Sequence, residues 1–187
     1  MATVSIVYFS GYGHTAKQAE AVAEGARKAG AQVEVLAIDK EGNLPEGAWE
    51  TLERSEAIIF GSPTYMGSPA WQFKKFADAS SKPWFAQKWK DKIAGGFTNS
   101  ATMNGDKFNS IIAMVTLAMQ HGMIWISTGL LPANKKESTR NDINWLGGFT
   151  GLYAVSPSDA SPEEGPLPGD LETARIYGER IARFAAK

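Results

Sequence analysis

Residues 4–17, Val-Ser-Ile-Val-Tyr-Phe-Ser-Gly-Tyr-Gly-His-Thr-Ala-Lys, constrain the fold more than any other stretch of the chain. An apolar β-type run at 5–9 breaks into Ser10, Gly11, Tyr12, Gly13, His14 and Thr15, and an Ala-rich helical pattern follows at once. A strand that feeds a glycine-and-hydroxyl turn at a helix N-terminus makes an anion site, because the first helical N–H groups lack partners and the helix dipole favours negative charge there. The glycines let the backbone approach a phosphate, and Ser10 and Thr15 add hydroxyl donors. No Lys or Arg lies within 10–15. The turn therefore suits one phosphate monoester better than a nucleoside triphosphate, which calls for a Walker-type lysine. Two other readings stay open at this point. Gly11-x-Gly13-x-x-Ala16 also satisfies a dinucleotide fingerprint, with Asp39 placed as the ribose-binding acid, and an ordinary βα turn would use the same glycines for geometry alone.

Strand-like and helical patterns alternate along the rest of the chain. A helix over 14–29 carries Ala16, Ala19, Val22, Ala23 and Ala26 on one small-residue face, and Gly30 stops it. Strands are expected at 33–38, 57–61, 93–98 and 123–126. The 57–61 run is continuously apolar, as in a strand buried on both faces. Residues 45–54 hold a short helix, 108–121 a longer one, and a last helix starts near Asp170 as its N-cap. Five strands alternating with helices imply one α/β domain over 1–187: a doubly wound parallel sheet in the flavodoxin-like order 2-1-3-4-5, with helices on both faces. Residues 128–150 and 157–169 are too long for plain connections, and segments of that length are usually functional or interface-forming.

Composition narrows the chemistry. With 187 residues the chain is long enough to bury a core without staples. A formal charge of −1 gives no electrostatic case for nucleic acid or an acidic membrane surface. The absence of cysteine removes disulfides, thiolate ligands and Cys nucleophiles together, and two distant histidines offer little to a zinc or copper ion. No signal-like start or membrane-length apolar run is present, so a cytoplasmic protein is expected.

In such a sheet, ligands sit beyond the carboxyl ends of the strands, where strand order reverses. That rim carries the first turn, Ser62-Pro-Thr-Tyr-Met-Gly-Ser-Pro-Ala70 and Thr98-Asn-Ser-Ala-Thr-Met-Asn-Gly-Asp106. One phosphate grip and two loops able to line a flat polar heterocycle describe a flavin mononucleotide (FMN) pocket. Ser10-x-Tyr-Gly-His-Thr, Gly61-Ser-Pro-Thr-Tyr-x-Gly, Thr98-Asn-Ser, His121-Gly-Met and Leu171-x-x-Ala-Arg-x-x-Gly178, taken in order, resemble the flavodoxin-like NAD(P)H:quinone oxidoreductases of the tryptophan-repressor-binding-protein family over essentially the whole chain.

The resemblance implies that residues 10–15 hold the FMN phosphate, with Tyr12 near the incoming nicotinamide. It implies that Thr64, Tyr65 and Met66, flanked by Pro63 and Gly67, edge the isoalloxazine. Thr98, Asn99, Ser100, Ala101, Thr102, Met103 and Asn104 would then wrap its pyrimidine end. Where the family often carries two histidines before Gly-Met, the first touching the flavin, this chain has Gln120 and then His121. Trp84 matches a tryptophan that a neighbouring subunit lends to the family's substrate pocket. The implied activity is two-electron transfer from NAD(P)H to a quinone by a ping-pong route in a homo-oligomer, dimer or tetramer, with no catalytic side chain and no metal. A one-electron flavodoxin shuttle and a non-catalytic FMN-binding or regulatory protein are the competing readings. Trp84 and Trp89 also fit as lid or core aromatics, and His121 as a residue favoured at a helix C-terminus.

Overall fold

The computed structural model describes residues 1–187. In chain order the elements are β1 (Thr3–Phe9), α1 (His14–Lys28), β2 (Gln32–Ile38), α2 (Ala48–Arg54), β3 (Ala57–Tyr65), β4 (Ser68–Pro69), α3 (Trp71–Ala79), α4 (Ser81–Phe85), β5 (Ile93–Ser100), α5 (Lys107–Gln120), β6 (Ile124–Trp125), β7 (Leu152–Val155) and α6 (Pro168–Ala185). The main sheet runs β2-β1-β3-β5-β6 and every pair in it is parallel. This is the expected order 2-1-3-4-5.

Both faces of the sheet are covered, as the continuous apolar run of β3 requires. Its residues Ala57 to Thr64 are all buried. On one face Val4, Ile6, Ile59 and Phe97 meet the alanine stripe of α1 and Ala174, Tyr177 and Ile181 of α6. On the other, Val7, Ile58 and Phe60 pack under Leu52, Phe73, Phe76, Trp89, Ile111 and Met114. Trp49, Phe76 and Trp89 stack within that second cluster, with ring centroids 5.6–6.3 Å apart.

The fifth strand position departs from expectation. It is filled by two segments, with β6 beside Ile93–Ala94 and β7 beside Phe97–Ser100 of β5. Residues 126–151 intervene and form an outer lobe. The lobe is closed on itself by Thr128, whose hydroxyl donates to Gly148 O (2.7 Å), and by buried Asn144, whose side-chain oxygen accepts from Gly148 N (2.9 Å), and it is fastened to α6 by Asn144 N, which donates to Thr173 Oγ1 (2.8 Å). The four residues of β7 are too few to signal a strand at the end of a glycine-rich segment. The α3–α4 pair and the β3–β4 hairpin were likewise not expected. The last helix also begins earlier than the sequence indicates. Its N-cap is Leu167 and Pro168 occupies the first turn. Asp170 lies inside that turn, buried, where it accepts from Val155 N and Arg140 Nη2 (both 3.0 Å).

Candidate functional site

The carboxyl ends of β1, β3, β5 and β7 surround a hollow of about 470 Å³, lined by Tyr12, His14, Thr15, Pro63, Thr64, Tyr65, Asn99, Ser100, Ala101, Ser156, Pro157, Ser158 and Ala160. The N-terminus of α1 opens at its edge. Gly13 takes φ +92°, a left-handed conformation that lets the chain turn from β1 directly into the helix. Ser10 Oγ accepts from Gly13 N (3.1 Å) and Ala16 N (3.2 Å), which ties the turn to the first helical residues. The His14 ring donates through Nδ1 to Gly165 O (2.8 Å), joining the turn to the segment before α6. The first turn of α1 carries no acidic residue. It thus presents unopposed positive dipole and the hydroxyl of Thr15, the donor chemistry a phosphate monoester takes.

Two tyrosines stand at the mouth. Tyr12 is 77% exposed and meets Tyr65 edge-to-face at 6.2 Å. Burial, and then the neighbouring Tyr12, push the Tyr65 phenol upward, so it stays neutral in the physiological range. No carboxylate lines the hollow. Behind the wall, Thr98 Oγ1 lies 2.8 Å from Thr64 Oγ1, which donates on to Ser110 Oγ (2.7 Å). These buried hydroxyls satisfy one another and tie the β3 and β5 ends together. Asn99 Oδ1 accepts from the Ser156 hydroxyl (3.0 Å), which brings the segment after β7 into the rim.

The residues singled out in the sequence therefore fall into distinct places. Tyr12, His14, Thr15, Pro63, Thr64, Tyr65, Asn99, Ser100 and Ala101 converge on the hollow, with Ser10, Gly11 and Gly13 forming the turn at its edge. Thr98 sits fully buried behind it. Met66 and Gly67 make the β3–β4 turn, and Met66 is fully exposed. Thr102, Met103 and Asn104 follow in the loop that leads to α5 and are not part of the lining of the hollow. Gln120 and His121 lie at the other end of α5, which is about 21 Å long at 1.5 Å per residue.

His121 belongs to the core there. It is 5% exposed, its ring centroid is 4.2 Å from that of Trp89, and Nε2 lies 2.9 Å from Ser80 Oγ. Burial holds its pKa down at about 4, so the ring is neutral at physiological pH. Trp84 lies at that same end, and its Nε1 donates to Gln120 O (2.9 Å). Within one chain, then, neither Gln120, His121 nor Trp84 reaches the hollow. Ser156, Pro157, Ser158 and Ala160 were missed by sequence reasoning. Their only signal was the excess length of the segment that follows β7.

Asp39, the candidate ribose acid of the dinucleotide reading, is occupied otherwise. Its carboxylate accepts from Asn43 N (2.7 Å) and Asn43 Nδ2 (3.2 Å) and closes the turn after β2.

A 2-1-3-4-5 parallel sheet with a phosphate-type helix start and rim loops from successive strand ends defines a nucleotide-binding protein of the flavodoxin class. The Flavodoxin family model matches residues 6–116, and the chain belongs to that family. It is 56% identical over 184 residues to Flavodoxin FldP of Pseudomonas aeruginosa, covering 98% of this chain and 97% of that one. It is 33% identical over 201 residues to an NAD(P)H dehydrogenase (quinone) of Sinorhizobium fredii, covering 100% and 98%. Among solved structures, a flavodoxin, WrbA-like protein from Agrobacterium tumefaciens superposes with a TM-score of 0.80 at 49% identity, over 100% of this chain and 98% of that one. FMN is the cofactor of this family, and the chain's donors fit it. A single helix start beside hydroxyls meets one phosphate, and uncharged walls with amide and hydroxyl groups meet a flat heterocycle.

Proposed function

We propose that the protein is an FMN-dependent oxidoreductase that takes two electrons from NAD(P)H and delivers them to a quinone, the two substrates using one site in turn. The observation that carries this reading is the open, carboxylate-free hollow with exposed Tyr12 and half-buried Tyr65 at its mouth. Flat aromatic rings can stack there, and nothing in the lining repels an anionic nicotinamide nucleotide. Bound FMN supplies the electron-carrying chemistry. The protein's share is grip, shape and electrostatics. The turn at residues 10–15 anchors the phosphate, Pro63 and Tyr65 bound one edge of the ring, and Asn99 to Ala101 bound the other. No side chain in the hollow has to act as acid or base, and buried, neutral His121 is unsuited to shuttle protons near pH 7.

The ligand released on denaturation should be FMN and not FAD, because the turn ends on a monoester without a continuation for a pyrophosphate. Mass spectrometry of the supernatant checks this. Anaerobic NADH or NADPH should then bleach the flavin stoichiometrically, and double-reciprocal plots against quinone should be parallel.

A one-electron carrier is the second reading, favoured by the name of the 56% identical relative. Protein that NAD(P)H leaves oxidised, and that accumulates one-electron-reduced flavin under dithionite, would establish the carrier instead.

The same proposal includes a cytoplasmic homo-oligomer, a tetramer by family resemblance, in which Trp84 and Gln120 of one subunit complete the hollow of another. Half-exposed Trp84 neighbours exposed Phe85, and Met119 and Ile124 add apolar surface at that end, a patch that favours burial. Trp84→Ala should lower kcat/KM for quinone about 5- to 150-fold, the span of 1–3 kcal/mol for a lost pocket contact, while FMN affinity stays within about threefold. A fully active monomer by light scattering would refute the shared site.

A further inference from the structure

Lys107, the first residue of α5, is 2% exposed, an unusual place for a lysine. Its ammonium is directed into the loop that follows β5. Nζ donates to Ser100 Oγ (2.7 Å) and to Thr102 O (2.5 Å). The loop is folded closely around these contacts. At Gly105, φ +54°, a Cβ would stand 2.3 Å from Ser100 Oγ and 3.0 Å from Thr102 Oγ1. Ser100 and Ala101, the residues so held, form part of the wall of the hollow.

The charged groups acting on Lys107 are few. Asp170, from the first turn of α6, attracts it, and Arg140, from the 126–151 lobe, repels it while pairing with Asp170 at 3.0 Å. Two cations and one carboxylate leave this group one positive charge in excess. Desolvation lowers the Lys107 pKa to about 8, which keeps the ammonium mostly protonated at pH 7. In a partly desolvated setting such a charge acts over a longer range than one in water.

We propose that Lys107 is a positioning residue of the cofactor site: it pins the 100–102 turn into the wall, and its charge favours the reduced, negatively charged form of the cofactor over the oxidised form. This rests on FMN being bound against that wall. No carboxylate in the lining offsets the bias, so the site as a whole prefers a ligand that gains negative charge. Asp170, paired with Arg140, moderates the same field from behind.

The test is a thermodynamic cycle. Dissociation constants for oxidised and for dithionite-reduced FMN are measured at pH 7 on the wild-type chain, Lys107→Met, Lys107→Arg and Asp170→Asn, with potentials determined by spectroelectrochemistry. Lys107→Met should weaken the binding of reduced FMN roughly 10- to 100-fold more than it weakens the binding of oxidised FMN. The two-electron potential should then fall by about 30–60 mV, at 29.6 mV per tenfold. Lys107→Arg should restore most of the difference. Asp170→Asn keeps an acceptor for Val155 N and removes the opposing charge, so its potential should rise.

A clamp without electrostatic influence would weaken both redox forms equally and leave the potentials unchanged, and that result overturns the inference. So does a lowered potential in Asp170→Asn, which decides the matter alone if Lys107→Met does not fold. Wild-type protein that binds no FMN in either form would instead remove the cofactor assignment beneath it.

Discussion

Ser10→Asp is expected to strip FMN from the protein and leave the fold intact. In the native turn the Ser10 hydroxyl oxygen accepts from the amides of Gly13 and Ala16. An aspartate carboxylate can accept from the same amides and is a favoured group at a helix start, so the substitution need not destabilise α1. It does place a negative charge where we propose that the phosphate sits. Two unit charges about 4 Å apart at an effective dielectric of 20 repel by about 4 kcal/mol, equivalent to roughly three orders of magnitude in affinity. The purified variant should show no flavin absorbance and an unchanged circular dichroism spectrum. FMN titration, followed by quenching of its fluorescence, should give a dissociation constant raised at least 100-fold. A variant that retains FMN at wild-type affinity would mean that the phosphate lies elsewhere. Ser10→Ala separates the two effects, since it removes the acceptor without adding charge and should weaken binding far less.

Gly178→Val should cause a large loss of stability. The helices α1 and α6 cross at backbone contact. A Cβ at Gly178 would stand 2.0 Å from Val22 O, and one at Gly25 would stand 1.8 Å from Arg175 O. Those distances are far inside van der Waals contact, and both obstacles are main-chain atoms of a helix, which cannot rotate away as a side chain can. The helices must separate, opening gaps around Val22, Ala26, Ala174 and Ile181, all of which are buried. Overpacking a tight site costs about 1–3 kcal/mol, and separating the helices adds lost burial, for a total of at least about 3 kcal/mol. For a chain of 187 residues that corresponds to a melting temperature lower by at least about 6 °C. Thermal unfolding monitored at the far-ultraviolet helix band measures it. FMN affinity should fall as well, because α6 holds the helix whose N-terminus forms the proposed phosphate turn.

Local sequence was sufficient where a single segment carried the whole message. The apolar run into Ser10–Thr15 needs only its own residues to form a strand, a turn and a helix start, so this βα turn was legible before any fold was known. The alternation of buried strands with amphipathic helices, read by period, implied a parallel sheet, and five strands in one domain matched the flavodoxin-like order. The small residues of α1 announced a helix lying close against the sheet, which it does, but not its backbone contact with α6 at Gly25 and Gly178.

Contacts distant in sequence decided the rest. The fifth strand position is shared by β6 and β7, which are separated by residues 126–151 and acquire strand geometry only by pairing with opposite ends of β5. Asp170 reads as a helix cap because Asp is common there. It is buried inside the helix instead, where Val155 N and Arg140, 15 and 30 residues away, supply donors that offset part of its desolvation. His121 and Gln120 share a motif with flavin-contacting residues, yet α5 carries them to the far end of the sheet, and the aromatic cluster around Trp89 buries the imidazole in neutral form. Lys107 gave no signal at all. A lysine at a helix start reads as a solvated charge, and it becomes part of the site only because the loop after β5 folds back over its ammonium. Periodicity and turn chemistry are properties of neighbouring residues, and the chain states them directly. Burial, pairing and the local field are sums over residues that only the folded chain brings together.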